Sequence, residues 1–217
     1  GDVYKRQYQY TQQFGELNYR FRLGTDFETQ ADTRRRFDNL TGTRGKLTFD
    51  QVESFKNIAA YITQELSFRK ATLLTGLRSD AIRMKAEDAF LSDGDQSGKR
   101  QYSRLNPTLG VSYELSSKVN IYTNLGTSFE TPTLSELSNN PSGTGGLNPE
   151  LTPQRATNYE IGAKTFLSPR VRVDVAFFNI NVKDELVPYQ ITGQPGRVFY
   201  RNAGSSRRQG IELSFNT

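Results

Sequence analysis

The chain contains no cysteine, no histidine and no tryptophan. Without cysteine there is no disulfide, no thiolate nucleophile and no cysteine metal site. Without histidine the commonest general base and the commonest metal ligand are both missing. An enzyme would have to work through carboxylates or lysine alone, so a non-enzymatic role is expected, with no catalytic residue, metal or cofactor assigned. Long apolar runs are also missing. The most apolar windows, residues 171–182 and 58–66, are interrupted by polar side chains and fall short of the roughly 20 apolar residues of a membrane helix. That absence excludes helices only. Membrane β-strands alternate in polarity, and their pattern averages out of a hydropathy scan.

What is present is alternation. The 217 residues suffice for one domain, yet only 35% are hydrophobic and the mean hydropathy is −0.66. Aromatics are plentiful, with 14 Phe and 11 Tyr. In residues 118–130, Val119, Ile121, Thr123, Leu125, Thr127 and Phe129 share one face. Lys118, Asn120, Tyr122, Asn124, Gly126, Ser128 and Glu130 share the other. Successive strand side chains point to opposite sides, so this is a strand with one apolar and one polar face.

The same pattern recurs along the chain. Strands are expected over residues 17–28, 46–66, 70–87, 104–115, 118–130, 156–167 and 170–186, and from about Arg197. In residues 170–186 the apolar phase slips. Val171, Val173, Val175 and Phe177 share one face, while Phe178, Ile180 and Val182 share the other, which predicts a bulge near Ala176 or burial on both sides. Short turns fall near 67, 116 and 168, and long connections near 30–44, 88–102, 132–155 and 187–196. Sorting of short and long connections to opposite ends is what outer-membrane barrels show. The expected fold is therefore all-β: part of an antiparallel, up-and-down transmembrane β-barrel, about nine strands of a larger one. Residues 1–7 read as a scar and are set aside, and residues 8–217 read as a partial barrel domain, an internal piece of a longer protein.

The formal net charge is +5, and the tight basic clusters are Arg34-Arg35-Arg36 and Arg207-Arg208. They suit an anionic ligand or lipid phosphates, or simply a solvated rim. Nothing points to nucleic acid. Asp93-Gly-Asp95-Gln-Ser97-Gly98 imitates the start of a calcium loop, but Arg104 stands where a bidentate Glu is required, so a polar turn is expected. Gly143-Thr-Gly-Gly146 lacks the Lys-Ser/Thr and the helix of a phosphate loop. Asn39-Leu-Thr41 is a glycosylation sequon by pattern only, and no Gly-x-Ser-x-Gly elbow exists. Arg20, Arg22, Arg78, Glu160 and Glu212 fall on polar strand faces. Tyr61, Tyr113 and Tyr122 are candidates for an interfacial belt if they point outward.

Residues 129–137, Phe-Glu-Thr-Pro-Thr-Leu-Ser-Glu-Leu, together with 147–154, Leu-Asn-Pro-Glu-Leu-Thr-Pro-Gln, and Asn158-Tyr-Glu-Ile-Gly162 stand in that order. Phe177-Phe-Asn-Ile-Asn-Val-Lys-Asp-Glu-Leu186, Asn202-Ala-Gly204 and Gly210-Ile-Glu-Leu213 follow. Over about residues 104–217 this resembles the later part of the barrel of TonB-dependent outer-membrane receptors, with Gln154 where that family usually has Glu. The resemblance implies a 22-stranded barrel and TonB-energised uptake of a scarce nutrient, commonly a ferric siderophore, in the bacterial outer membrane. It implies TonB as partner, acting through a plug domain absent from these residues, and outer-membrane lipid around the wall. Ligand-loop candidates are then Arg34, Arg35, Arg36, Asn139, Asn140 and Asn148. Candidates to face a lumen and plug are Arg78, Glu160 and Glu212. The competing reading is a soluble β-sandwich module for an anionic ligand, which would have to pack its apolar strand faces on each other.

Overall fold

The computed structural model describes residues 1–142, 146–193 and 197–216. It contains β1 (Asp2–Phe14), β2 (Leu17–Leu40), β3 (Thr43–Phe68), β4 (Ala71–Asp88), β5 (Gly98–Ser116) and β6 (Val119–Glu130). Then come a short helix α1 (Leu134–Ser138), β7 (Gln154–Ser168), β8 (Val171–Lys183), β9 (Leu186–Tyr189), β10 (Phe199–Asn202) and β11 (Ser205–Asn216). Nine strands form one antiparallel sheet in the order β1-β2-β3-β4-β5-β6-β7-β8-β11, and β9 and β10 form a separate hairpin. From β1 to β8 chain neighbours are sheet neighbours, and β11 joins β8 after the β9–β10 excursion, which is an up-and-down meander. Among the described residues the only other sheet is the two-stranded β9–β10 hairpin, and the apolar outer strand faces stay exposed, so the sandwich arrangement does not form. Asp2–Gln7, set aside above, lie in β1 opposite Gly24–Thr29.

The end sorting is as expected, except at one long connection, and β5 begins at Gly98, inside the expected 88–102 loop. Short turns at residues 15–16, 69–70, 117–118 and 169–170 lie at one end of the sheet. Residues 89–97, 131–153 and 184–204 connect strands at the other. The exception is residues 30–44, expected as a loop. They are strand, because β2 and β3 run 24 and 26 residues and meet at Thr41-Gly42. Both turn residues have positive φ, 51° and 92°, as a tight two-residue hairpin turn requires. Asn39 Oδ1 accepts from Gly42 N at 2.8 Å and locks it. The polar composition that suggested a loop is that of strands standing in water. At about 3.3 Å per residue such strands reach roughly 80 Å, whereas about 9–11 residues cross a bilayer.

Each strand changes character along its length. Near the short turns the outward side chains are apolar and uncovered: Ile58 is 60% exposed and Ile211 75%. The opposite, inner face there is polar, with Arg20 paired to Glu65 at 3.0 Å and Arg78 to Asp26 at 2.6 Å. Toward the long connections the faces exchange roles. Ile82, Met84 and Ala86 follow Arg78 and Asp80 on the same inner face of β4, and all three are buried. Arg83 and Lys85 now point outward.

The phase slip in β8 has the same origin. Val175 and Phe177 are exposed on the outer face, while Val182 is buried on the inner one. No bulge occurs near Ala176: its register with β7 and β11 is continuous, and the irregularity lies at Phe166/Ser168.

Candidate functional site

Over the upper inner face lies a strap, residues 131–153. Its start is set by Thr133-Leu-Ser-Glu136, a reciprocal cap. Glu136 N donates to Thr133 Oγ1 at 3.3 Å, and Thr133 N donates to Glu136 Oε2 at 2.7 Å. Two otherwise orphaned helix-start donors are thereby satisfied. The cap turns Leu137 inward, where it is 0% exposed. Leu137, Leu147 and Leu151 pack on Ile82, Met84 and Ala86, with Phe55, Phe129, Leu186 and Tyr200 around them.

Polar contacts pin the strap's second half. Arg100 Nη2 donates to the carbonyls of Pro149 and Leu151 at 2.7 and 3.1 Å. Asn202 Oδ1 accepts from Thr152 N, and Asn202 Nδ2 donates back to Thr152 O, both at 2.8 Å. So Asn202, in the Asn-Ala-Gly stretch, staples the strap to the β9–β10 hairpin. Gln154 joins both sides: its Nε2 donates to Glu130 Oε2 at 2.6 Å, and its Oε1 accepts from Leu186 N at 3.0 Å.

Between strap and sheet, at the far end of β2 and β3, is a cavity of about 330 Å³. Arg34, Arg36, Asn139 and Asn140 line it, four of the six ligand-loop candidates. They come together because β2 positions alternate: Arg34 and Arg36 point inward and Arg35 outward. Arg34 forms an ion pair with Glu53. Arg36 lies over the Phe49 ring at 4.8 Å from its centroid. Arg35 faces away and pairs with Asp50 at 3.0 Å. The arginines were expected on a loop and stand on a strand instead, for the reason given for residues 30–44. Asn148 is not at the cavity; it is 2% exposed and holds the strap's shape, donating its backbone N–H to Leu137 O at 2.7 Å and accepting Glu150 N at its Oδ1.

Sequence reasoning missed Phe49, Gln51, Gln96 and Arg197, which also line the cavity. Arg197 lies 5.1 Å from the Phe199 centroid. Basic side chains next to aromatics were the available signal. The Thr-x-x-Glu cap was legible too. Gly143–Gly145 of the glycine-rich stretch lie outside the described residues, as do residues 194–196 of the expected 187–196 loop.

The calcium-like segment is a self-satisfied turn. Asp95 Oδ1 accepts from Ser97 N at 2.8 Å, and these Ser97 hydrogen bonds hold the Asp95 carboxyl below its usual range. No group of three or more carboxylates able to hold a metal ion exists among the described residues.

Arg78, Glu160 and Glu212 all fall on the inner face. Arg78 is the centre of a polar ladder across four strands. It bonds Asp26 and Asp80, Asn57 Nδ2 donates to Asp80 at 3.3 Å, and Tyr61 OH donates to Gln7 at 3.1 Å. Tyr61 lies over its cross-strand partner Gly24, where any added Cβ would collide with the ring. Tyr122 covers Gly162, beside Glu160, and Phe178 covers Gly210 in the same way. Tyr61 and Tyr122 are therefore wall residues, and of the three tyrosines only Tyr113 is outward.

An uncovered apolar outer band, a polar inner face and long connections gathered at one end define a piece of transmembrane β-barrel wall. The family of TonB dependent receptor-like β-barrels matches residues 1–217, and the chain belongs to it. The metal-pseudopaline receptor CntO of Pseudomonas aeruginosa (strain UCBPP-PA14) is 27% identical over 148 residues, 66% of this chain and 19% of that receptor. The ferric citrate transporter FecA in its unliganded form superposes with TM-score 0.77 at 18% identity, over 97% of this chain and 31% of that one. The ferric-catecholate import receptor Fiu from K12 E. coli gives TM-score 0.73 at 20% identity, over 98% and 34%. The chain thus spans about a fifth of the curated relative's length. These relatives are transport receptors rather than enzymes.

Proposed function

We propose that the complete protein is an outer-membrane receptor that takes up an anionic metal chelate, a ferric siderophore or a similar complex. TonB would energise uptake through a plug domain. The observation that carries this reading is the cavity beneath the strap. Arg36 and Arg197 line it together with one carboxylate, Asp93, and neither arginine forms an ion pair among the described residues. Guanidinium groups without a carboxylate partner, here exposed and facing one cavity, favour a ligand bearing negative charge. The relatives, a metal–pseudopaline receptor, a ferric citrate transporter and a ferric-catecholate import receptor, handle ligands of that chemical kind. Arg78, Glu160 and Glu212 are assigned to the lumen, where the ladder would meet the plug.

The test is binding of candidate ferric chelates to the complete receptor, wild type against Arg36→Gln with Arg197→Gln. Each lost charge-assisted hydrogen bond should weaken binding by about 1.5–3 kcal/mol, with outer-membrane assembly unchanged. Unaltered affinity in a correctly assembled double variant would refute the assignment.

A further inference from the structure

The geometry points to a binding site for the phosphorylated headgroup of an outer-leaflet lipid on the outward face of β3, β4 and β5. The inference rests on the membrane-barrel reading of the wall, and it concerns a different surface from the chelate cavity.

Two adjacent cross-strand rows build the site. In one, Lys56 faces Arg83 and Arg83 faces Gln101. In the next row outward, Ser54 faces Lys85 and Lys85 faces Lys99. All these positions have the outward phase, and Lys56, Arg83, Lys85, Gln101 and Lys99 are exposed. Neighbouring strands lie about 4.8 Å apart and same-face residues about 6.6 Å apart, so four cations fall within one headgroup's width.

The patch is not neutralised from within. Lys85 is paired with Glu87, but Lys56, Arg83 and Lys99 have no carboxylate partner among the described residues. Turning the Gln101 amide lets its oxygen accept from Arg83 Nε and Nη2 at 3.1 and 3.2 Å. That neutral partner fixes the guanidinium and leaves its charge uncompensated.

Position supplies the second argument. The row immediately below is Ile58, Ala81 and Ser103, and below it come Ala60, Ser79 and Leu105, then Ile62, Leu77 and Pro107, with no charged side chain in either row. The cations therefore stand where the apolar band ends, at the depth of lipid headgroups. A groove of about 360 Å³ crosses that boundary, lined by Lys56, Ile58, Ala81, Arg83, Gln101 and Ser103. Its upper wall is cationic, and its lower wall is small or apolar. A phosphate at the top and an acyl chain lying over Ile58 and Ala81 match this polarity. Four cations favour a headgroup with more than one phosphate, such as a bisphosphorylated glucosamine lipid.

The experiment uses the complete receptor, purified in non-ionic detergent with added lipid A, and reads retained lipid by native mass spectrometry. Phosphatidylcholine serves as the zwitterionic comparison. The wild type should retain lipid A selectively, and Lys56→Gln, Arg83→Gln, Lys99→Gln combined should lower retention roughly tenfold or more, as the loss of three basic groups near anionic lipid implies. The charge-keeping combination Lys56→Arg, Arg83→Lys, Lys99→Arg should restore it, which separates charge loss from misfolding.

Equal retention by wild type and the neutral variant would overturn the inference. So would full displacement by inorganic phosphate, which would make this a free-phosphate site. A receptor that binds chelate and fractionates with the outer membrane yet retains no lipid sinks this inference alone. One that never enters the membrane fraction sinks the barrel reading with it.

Discussion

The half of the sheet near the short turns and the half near the long connections use one set of strands in opposite ways. In the first, β4 shows Leu73 and Leu77 outward and Arg78 and Asp80 inward. In the second, it shows Arg83 and Lys85 outward and Ile82, Met84 and Ala86 inward. Nothing in the backbone changes between them; what changes is the medium each face meets. Against lipid, apolar groups go outside and the polar groups hydrogen-bond within the wall. In water, the ordinary rule returns and apolar groups retreat beneath a cover, here the 131–153 strap. The point of exchange lies between Arg78 and Ile82.

The comparison is tested hardest in the watery half. Leu137 is wholly buried against Met84 and Ala86 in a core built by one strap. Leu137→Ala should cost about 2–5 kcal/mol of local stability, by loss of transfer energy and creation of a cavity. Because that core is separate from the lipid-facing wall, the cost should appear as opening of residues 131–153 and not as loss of the sheet. Amide hydrogen exchange on the assembled receptor would separate the two. If protection in β2, β3 and the strap falls together, the halves are one cooperative unit and the contrast fails.

In the lipid half the expected penalty is reversed in sense. Ile121 points outward and Asn124 inward, on one strand. Ile121→Arg should cost about 2–4 kcal/mol if the site lies near the bilayer midplane. Asn124→Arg places the cation across from Glu160, its register partner, and should cost under about 1 kcal/mol. Unfolding free energies of the complete receptor refolded into bilayers decide between these. Equal costs would mean that the outer face does not meet lipid.

How much of this was legible in the sequence divides along the same boundary. The lipid half was readable because its alternation is strict: Ile121 and Leu125 against Asn120 and Asn124 permit one reading. The watery half was not, because two signals conflict there. Residues 30–44 have loop composition but strand geometry, since a strand wet on both sides has no reason to be apolar. The β8 phase slip was visible, yet a bulge and a change of medium leave the same mark on a sequence, and only the continuous register separates them. Within the candidate site, Arg34 and Arg36 were found through their charge and Asn139 and Asn140 through the long loop. Phe49 and Arg197 were not: Phe49 meets Arg36 only through the register of the β2–β3 hairpin, part of which reads as a loop, and Arg197 arrives from the separate connection between β9 and β10. Asn148 was misjudged for a related reason. An Asx turn that braces a strap and a side chain that meets a ligand use the same residue type.

The smallest expected effect lies at the seam of the strap, and it turns a departure from the family pattern into a measurement. Gln154 donates to Glu130 through Nε2 and accepts from Leu186 N through Oε1. A glutamate at this position keeps the second contact and loses the first, setting a second carboxylate against Glu130. At neutral pH, Gln154→Glu should destabilise the seam by about 1 kcal/mol, the scale of one lost hydrogen bond together with like-charge repulsion at a partly exposed site. The sign with pH follows from linkage. Repulsion raises the introduced carboxyl's pKa in the folded state above its unfolded value of about 4.3. The penalty is therefore full above the raised folded-state pKa and fades as pH falls toward and below the unfolded value, where the introduced carboxyl, once protonated, can donate to Glu130 again. Hydrogen exchange or proteolysis across residues 184–204, compared at neutral and acidic pH in both proteins, would read this. A difference between variant and wild type that stays constant with pH would show that Gln154 matters through shape rather than through the proton it holds toward Glu130.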